Sequence, residues 1–354
     1  MIDDVDGIRC MIMRGGTSKG AYFLASDLPT DPNLRDALLL RIMGSPDPRQ
    51  IDGIGGAHPL TSKVAIVSVA DGDEADLEYL FLQVGVEAAT VSDRQNCGNL
   101  LAGVAPFAVE RGLVVVADGR ATLRIGMINT NSIATATFTV ADGAPVYDGA
   151  TSISGVPGTA APVELEFDRS QDAREALLPT GRVVDVIDGV AATLVNNGMP
   201  VVVMRADALD ITGYETCDDL ESNSRLRERL ESIRLEAGGL MGLGDVSDTT
   251  VPKLTMVASP QRGGAAATRT FIPHRCHQAI GVLGAVSVAT ACLMDGSSVS
   301  EIAVIDRTSD VVRLEHPSGS FDVILEMSAS GVERAGIVRT ARKLMDGSVY
   351  PRQY

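Results

Sequence analysis

The stretch Met11-Ile-Met-Arg-Gly-Gly-Thr-Ser-Lys-Gly20 runs from an apolar strand through a glycine turn into a second apolar run, Ala21–Leu28. The same order returns in the second half, where Thr193-Leu-Val-Asn-Asn-Gly-Met-Pro200 leads into Val201–Leu209. The two turn glycines are separated by 198 − 16 = 182 residues. This pattern predicts a strand–turn–strand unit in each half of the chain.

Two further pairs of segments follow in the same order. Ser62-Lys63-Val-Ala-Ile-Val-Ser68 matches Pro252-Lys253-Leu-Thr-Met-Val-Ala258 at an offset of 253 − 63 = 190, and the turn at Cys97 matches the turn at Cys276 at 276 − 97 = 179. Similar offsets in one order predict two domains built by duplication. We place them at residues 1–175 and 176–354, because residues 168–174 are polar, and the last strand is expected to return to the first domain.

The secondary structure is predicted to be mostly short strands, at 64–69, 77–84, 121–125, 135–140 and 163–167. Amphipathic helices are expected at Asn33–Ile42 and Asn223–Glu236. Two other segments, Asn99–Val109 and Gln278–Leu293, are apolar nearly all round, and such helices must be surrounded by protein. Pro106 should kink or end the first of them. The fold class is therefore α/β (α+β), with each half wrapping a sheet around one buried helix.

Composition excludes several classes of protein. The 354 residues carry 30 Lys+Arg against 46 Asp+Glu, a net charge of −16, which disfavours binding to nucleic acid or to an anionic membrane. Five widely spaced cysteines without a CxxC motif argue against disulfides and structural zinc. The first residues are acidic and polar, so no signal peptide is expected, and we predict a cytoplasmic protein.

Two residues are the leading candidates for chemistry. Cys97 lies in Asn96-Cys97-Gly98-Asn99, directly before a buried helix, where free N–H groups favour a reactive thiolate and can cradle a carboxylate. The alternative is a small buried cysteine. Lys63 begins an apolar strand, and a desolvated lysine can act as a general base. The alternative is a lysine whose head group reaches solvent at a strand edge.

Two turns could bind anions. The turn from Arg14 to Ser18 offers a guanidinium, backbone amides and hydroxyls, although it could equally be an ordinary glycine hairpin, and it is neither a dinucleotide fingerprint nor a P-loop. In His274-Arg275-Cys276-His277 the spacing disfavours a metal, and nothing acidic lies beside it in sequence. Arg275 together with helix N–H groups fits an anion better.

Taken together, the motifs resemble the PrpF family, whose fold is diaminopimelate-epimerase-like. They are Met13–Gly20, Gly44–Gly56, Leu60–Lys63, Asn96–Asn99, Asn197–Pro200 and Phe271–His277. Within the family, the motifs Gly44–Gly56 and Phe271–His277 resemble 4-oxalomesaconate tautomerases most. The resemblance implies two pseudo-symmetric domains, each a curled, mostly antiparallel sheet around a central helix, with the active site in the cleft between them. It also suggests a homodimer.

The resemblance carries the catalytic roles onto Lys63 and Cys97. It implies substrate-binding roles for the residues around them and in the second domain: Arg14, Gly16, Thr17, Ser18, Ser62, Asn96, Gly98, Asn99, Met199, Arg275 and His277. The related epimerases use two thiols, one from each domain. Here Cys276-His277-Gln278-Ala279 replaces the second Cys-Gly-Thr/Ser-Gly turn, which favours Lys/Cys proton transfer.

The implied reaction is a 1,3-allylic shift in a small unsaturated di- or tricarboxylate, in the breakdown of lignin-derived aromatic acids such as protocatechuate or gallate. The substrate's carbonyl is the electron sink, so no cofactor is expected, and fixed donors must stabilise the oxyanion. Three alternatives stay open: an aconitate or methylitaconate isomerase, a cysteine-dependent epimerase, and a carboxylate-binding accessory protein. Whether Lys63 alone moves the proton or passes it to Cys97 is also open.

Overall fold

The computed structural model describes residues 7–93, 96–167, 176–328 and 331–352. The chain divides into two compact units, the first formed by Met1–Asp168 with Val338–Tyr354 and the second by Arg169–Ile337. The boundary expected between residues 175 and 176 adjoins residues 168–175, which lie outside the described residues.

The first unit is a mixed sheet with two α-helices. Its helices are α1 (Pro32–Met43) and α2 (Gly98–Glu110), and its strands are β1 (Ile8–Gly15), β2 (Ser18–Leu24), β3 (Lys63–Val69), β4 (Leu77–Val84), β5 (Val91–Ser92), β6 (Gly119–Met127), β7 (Ser132–Ala141), β8 (Ala144–Pro145) and β9 (Pro162–Phe167). The main strand order is β1-β2-β3-β4-β6-β7-β9. The pairs β2–β3 and β4–β6 are parallel, and the other neighbours are antiparallel.

The second unit repeats this plan. Its helices are α3 (Cys217–Ser222), α4 (Ser224–Leu240) and α5 (Val282–Leu293), and its strands are β10 (Asp185–Ile187), β11 (Val190–Asn196), β12 (Pro200–Arg205), β13 (Lys253–Ala258), β14 (Ala266–Phe271), β15 (Val311–His316), β16 (Gly319–Ser328) and β17 (Gly331–Val349). The order is β11-β12-β13-β14-β15-β16-β17, with β12–β13 and β14–β15 parallel. From Val338 onward, β17 belongs to the first unit, where its end pairs with β1.

The strand order and the positions of the parallel pairs are therefore the same in both units, as expected for two pseudo-symmetric halves. Their origin by duplication stays a prediction. The five predicted strands and four predicted helices are also present. The third matched pair, Cys97 with Cys276, does not consist of structurally equivalent residues. Cys97 is the N-cap of α2, whereas the N-cap of α5 is Gly281, so Gly281 and not Cys276 is its counterpart (281 − 97 = 184).

Each unit buries one central helix. Residues 100–108 of α2 and 284–292 of α5 are buried without interruption, as expected for helices that are apolar on every side. Pro106 does not end α2, which continues to Glu110. Proline removes one backbone hydrogen bond, but the stability of this helix comes mainly from packing on all sides, so the loss is tolerated.

The two faces of the sheet in the first unit carry different residues. Val64 and Ile66 of β3 join Leu82 and Val84 of β4 in the core against α1. Because side chains alternate along a strand, Lys63, Ala65 and Val67 point to the opposite face, against which α2 packs. The location of Lys63 on the central-helix face follows from this alternation.

Among the described residues, no helix is both long enough and apolar enough to cross a membrane.

Candidate active site

The glycine turn of the first unit packs directly against the start of α2. A Cβ atom on Gly15 would lie 2.3 Å from the backbone oxygen of Asn99, and one on Gly16 would lie 2.2 Å from Asn99 Oδ1. Gly16 also has a φ of +51°, in the left-handed region that favours glycine. Both glycines are therefore required for the hairpin to approach the helix N-terminus.

Side-chain hydrogen bonds hold this contact together. Asn99 Nδ2 donates to Thr17 Oγ1 over 3.1 Å, and Asn99 Oδ1 accepts from Arg339 Nε over 3.2 Å. Arg339, on β17, is only 6% exposed. Sequence reasoning missed it, because it is 240 residues from Asn99 and reaches the site only through the pairing of β17 with β1.

Lys63 lies at the beginning of β3 and is 6% exposed. Its Nζ donates a hydrogen bond of 2.7 Å to Gln83 Oε1 and lies 4.8 Å from the centroid of the Phe81 ring. No carboxylate is within ion-pairing distance of Lys63 in the part of the chain that the structure describes. The ammonium group is thus held by an amide and an aromatic face, and its position is fixed without a counter-ion.

The glycine turn also contacts this lysine. A Cβ atom on Gly20 would lie 2.7 Å from the backbone oxygen of Lys63 and 2.8 Å from Leu100 Cδ2. The hairpin is therefore in contact with both the start of β3 and the first turn of α2. This is how the tertiary structure brings together motifs that are separate in sequence.

Cys97 is half-buried and is the N-cap of α2. Its side chain does not cap the helix, and the first N–H groups of any helix, here those of Gly98, Asn99 and Leu100, lack acceptors within the helix. These donors and the positive end of the helix dipole favour a bound anion at this point.

Strand β4 links Cys97 to Lys63. Tyr79, Phe81 and Gln83 alternate along it and so share one face. The Tyr79 hydroxyl donates to the Cys97 carbonyl oxygen over 3.3 Å, while Gln83 binds Lys63. Burial raises the pKa of Tyr79 well above its usual value, and the negative charge of a Cys97 thiolate acts in the same direction, so this hydroxyl stays a neutral donor.

Asn129 anchors β4 to the loop before Cys97, and sequence reasoning missed it as well. Its amide exchanges two hydrogen bonds of 2.8 Å with the backbone of Phe81 and donates a third, of 2.7 Å, to the carbonyl oxygen of Asp93. Asn129 follows β6 and belongs to no motif or periodic pattern in the sequence, so the sequence alone did not indicate this role. Its three bonds nevertheless hold the approach to Asn96 and Cys97.

Two buried polar atoms near these elements have no hydrogen-bond partner among the residues that the structure describes. They are Ser18 Oγ, at the start of β2, and Asn96 Oδ1, directly before Cys97. Asn96 uses its Nδ2 to donate to Thr130 Oγ1 over 2.6 Å. Buried polar atoms normally find partners, so exceptions of this kind call for a functional explanation.

Two residues that were expected to bind substrate, Arg14 and Ser62, form hydrogen bonds with other parts of the protein instead. Arg14 Nη1 donates to the carbonyl oxygens of Gly16 and Thr340 and to Thr340 Oγ1, at 2.9 to 3.0 Å. Ser62 is fully buried and accepts from Gln50 Nε2 over 2.8 Å. Their observed contacts hold the hairpin to β17 and the residues before β3 to the Gln50 loop.

In the second unit, the counterpart of the glycine turn is fastened to α5. Ser287 Oγ donates to the carbonyl oxygen of Met199 over 2.7 Å and accepts from the backbone N–H of Asn197 over 3.0 Å. Asn197 Nδ2 also donates to Thr290 Oγ1 over 3.0 Å. The backbone at Met199 is therefore held rigidly against the central helix of its own unit.

The loop that contains Arg275 has acidic neighbours, contrary to the sequence expectation. Arg275 Nε lies 3.3 Å from Glu221 Oε2, and His274 Nδ1 lies 3.6 Å from Glu231 Oε2. Both carboxylates belong to α3 and α4, which the linear sequence places about 40 to 55 residues away, so proximity in sequence could not reveal them. The guanidinium of Arg275 is exposed and already paired, six residues before the Gly281 N-cap of α5.

Cys276 is not placed like Cys97. It is buried in the core formed with α3 and α4, beside Cys217, and burial raises its pKa strongly, with the neighbouring Cys217 acting in the same direction. It lies five residues before Gly281, so it does not sit at the N-terminus of α5. In this geometry a second reactive thiol in the manner of the epimerases is disfavoured.

Within residues 7–93, 96–167, 176–328 and 331–352, no cluster of three or more His, Cys, Asp or Glu side chains is arranged to hold a metal ion.

Comparison with known proteins gives a consistent result. The PrpF protein family model matches residues 6–352. The chain is 54% identical to the (4E)-oxalomesaconate Delta-isomerase of Novosphingobium sp. (strain KA1), over 98% of both chains, and 54% identical to the 4-oxalomesaconate tautomerase of Pseudomonas putida (strain KT2440), over 97% of this chain and 95% of the relative.

A solved structure of methylitaconate-delta-isomerase superposes with a TM-score of 0.90 at 34% identity, covering 99% of this chain and 96% of that one. Its fold is therefore the fold of this chain, as the resemblance implied. With a family match over nearly the whole length, the chain belongs to the PrpF family.

Proposed function

We propose that this protein is a cofactor-independent allylic isomerase (tautomerase) that moves a double bond in 4-oxalomesaconate, in the breakdown of protocatechuate or gallate. The names of the two relatives at 54% identity support the substrate. The observation that carries the proposal is the environment of Lys63. Lys63 is buried and, among the described residues, has no carboxylate partner; it is held by Gln83, and Tyr79 on the same face of β4 contacts Cys97.

The reaction requires one proton to leave carbon and return two atoms away. Lys63, when unprotonated, removes a proton from the carbon next to the carbonyl; the C–H electron pair forms a double bond to the carbonyl carbon, and the π pair of the C=O bond moves onto the oxygen. The extended enolate then regains a proton at the far carbon, and the carbonyl re-forms. Atoms and electrons balance without an oxidant or a cofactor, because the substrate's own carbonyl accepts the electron pair.

Cys97 is proposed as the second acid/base group. Its place at the N-terminus of α2 suits both a thiol that gives up a proton and a thiolate that receives one. The N–H groups of Gly98 and Asn99, with the Ser18 hydroxyl as a further donor, are proposed to stabilise the oxyanion or a carboxylate. Asn96 Oδ1 can only accept, so Asn96 is proposed to take a hydrogen bond from a protonated oxygen of the substrate.

The other assigned residues have supporting or outer roles in this proposal. Gly16 and Thr17 hold Asn99, whereas Arg14 and Ser62 hold the hairpin and the start of β3, as their hydrogen bonds indicate. Met199, Arg275 and His277, which lie in the second unit, stay predictions as substrate-binding residues. A homodimer and a cytoplasmic location also remain predictions, the second supported by five free thiols. Sedimentation would test the dimer.

The second candidate is isomerisation of methylitaconate or aconitate, favoured by the TM-score of 0.90 to methylitaconate-delta-isomerase. The site as described can bind either kind of unsaturated polycarboxylate. A two-thiol epimerase has less support, because Cys276 is buried in the core of the second unit.

The test is proton NMR of the purified protein with 4-oxalomesaconate in D2O. We expect the double bond to move and deuterium to enter at the new sp3 carbon. Lys63→Met should abolish both events. Cys97→Ser should separate the roles, because exchange of deuterium without isomerisation would show that Lys63 removes the proton and Cys97 returns it.

Lys343→Met is the matched control, since Lys343 pairs with Glu110 on the surface of the same unit and should leave turnover unchanged. Full activity in Lys63→Met would refute the assignment. Turnover of methylitaconate or cis-aconitate, but not of 4-oxalomesaconate, would establish the second candidate instead.

A further inference from the structure

The chain contains only four lysines, Lys19, Lys63, Lys253 and Lys343, among 30 basic residues. Two of them begin equivalent strands, since Lys63 is the first residue of β3 and Lys253 the first residue of β13. Leu254 and Met256 of β13 belong to the core against α4, so the alternating residues Lys253 and Thr255 point to the opposite face.

The surroundings of Lys253 differ from those of Lys63 in one respect. Leu254 pairs with Phe271, as Val64 pairs with Leu82, and so the residue opposite Lys253 is Ile272 where Lys63 has Gln83. The amide that holds Lys63 is therefore absent in the second unit. Among the described residues, no hydrogen bond or ion pair is recorded for the half-buried Lys253.

His277 is bonded to β14, the strand that pairs with β13. Its backbone N–H donates to the carbonyl oxygen of Thr270 over 2.8 Å, and Thr270 pairs with Thr255, two residues along β13 from Lys253. The imidazole Nδ1 accepts from the Ala279 N–H over 2.9 Å. A neutral ring therefore carries its proton on Nε2, which is left as a donor.

The charge of Lys253 also acts on the His277 imidazole. Desolvation lowers the pKa of His277, and the positive charge of Lys253 acts in the same direction. Burial lowers the pKa of Lys253 to about 8, so the ammonium form still predominates at neutral pH but lacks a counter-ion. A half-desolvated cation without a partner costs stability, and a bound anion would remove that cost.

We propose that Lys253 and His277 form a carboxylate-binding site on the second unit, which takes one carboxylate of a small polycarboxylate. The proposal rests on the function proposed above only for the identity of that ligand. Lys253 supplies the charge and His277 Nε2 a directional donor. No carboxylate of the described residues competes for Lys253.

Kinetics on the substrate that the wild type turns over give the first test. Lys253→Met should raise KM by roughly tenfold or more, because a charge-assisted hydrogen bond is lost, and should change kcat less. Lys253→Arg should restore much of the lost affinity. Lys343→Met is again the control. A purely structural lysine would instead give a lower Tm in Lys253→Met; we expect an equal or higher Tm, because the buried charge is removed.

Chemical labelling tests the site without turnover. Each of the four lysines can be followed by mass spectrometry after brief acetylation with acetic anhydride at pH 8, with and without tricarballylate as the probe. We expect tricarballylate to protect Lys253 several-fold and to leave Lys343 unaffected. His277→Ala should weaken this protection.

The two tests separate the two proposals. If the wild type turns over none of the candidate substrates but tricarballylate still protects Lys253, the proposed function fails and the carboxylate site stands. Absence of protection, or an unchanged KM in Lys253→Met, would overturn the site even if 4-oxalomesaconate is the substrate.

Discussion

Lys63 and Gln83 face each other across β3 and β4, and the lysine Nζ lies 2.7 Å from the amide oxygen Oε1. The amide nitrogen of Gln83 is fixed in turn by the carbonyl oxygens of Ser62 and Pro59, at 2.8 and 3.1 Å. Gln83 is thus oriented by the backbone before it binds the lysine. A neutral acceptor holds the amine in place without stabilising its protonated form as a carboxylate would.

Replacing Gln83 should therefore affect the chemistry of Lys63. Gln83→Leu leaves the amine without its acceptor, and we expect kcat to fall roughly tenfold to a hundredfold, the usual range for a hydrogen bond to a charged group. Gln83→Glu should hold Lys63 protonated and move the acidic limb of the kcat–pH profile to higher pH. Steady-state kinetics across pH measure both effects. Unchanged profiles in both variants would exclude a positioning role for Gln83.

Gly16→Ala should damage the site as well as the fold. The φ of +51° makes any side chain unfavourable, and the new Cβ would lie 2.2 Å from Asn99 Oδ1. Gly143→Ala is the matched control, because Gly143 has a φ of +72° but no atom within 4 Å of an added Cβ. Both variants should lose about 1 kcal/mol of stability from backbone strain. Only Gly16→Ala should also lose activity, and equal activity in the two would contradict the proposed contact.

Tyr79→Phe removes one hydroxyl and tests the link between β4 and Cys97. We expect a several-fold loss of kcat, because the Cys97 carbonyl loses its donor at 3.3 Å and the N-cap can move. Tyr214→Phe removes a similar bond, from Tyr214 to the carbonyl oxygen of Ser259 at 2.9 Å, far along the chain from Cys97. Turnover should be normal in that control. A normal kcat in Tyr79→Phe would show that the bond serves stability alone.

His316 should make the fold sensitive to acid. Burial lowers its pKa to about 4, below the value of 6.5 for an unfolded chain, so the unfolded state binds the proton more readily. Stability is therefore complete above about pH 6.5 and declines as the pH falls toward 4. Thermal unfolding of the wild type and of His316→Gln from pH 7 to pH 4 measures this. The variant should lose less stability over that range, by about 3 kcal/mol. Equal losses of stability in the two proteins would exclude His316 as the cause.

Much of the architecture could be predicted from local pattern. Apolar residues on every side of 99–109 and 278–293 predicted two buried helices, and the similar segments around Gly16 and Gly198 predicted a duplicated fold. These signals are local because burial and turn geometry impose periodicities on the neighbouring residues. Lys63 and Cys97 were predicted as candidate active residues for the same reason, because they stand at the edges of apolar segments.

The partners of those residues were decided by the tertiary structure. Gln83 reaches Lys63 through the register of β3 and β4, and Arg339 reaches Asn99 across 240 residues because β17 pairs with β1. Cys276 resembled Cys97 in sequence, yet its side chain is buried in a core built with α3 and α4. Periodicity in sequence sets which face of an element is buried, whereas strand register and long-range packing set which side chains meet, and only the folded chain contains that information.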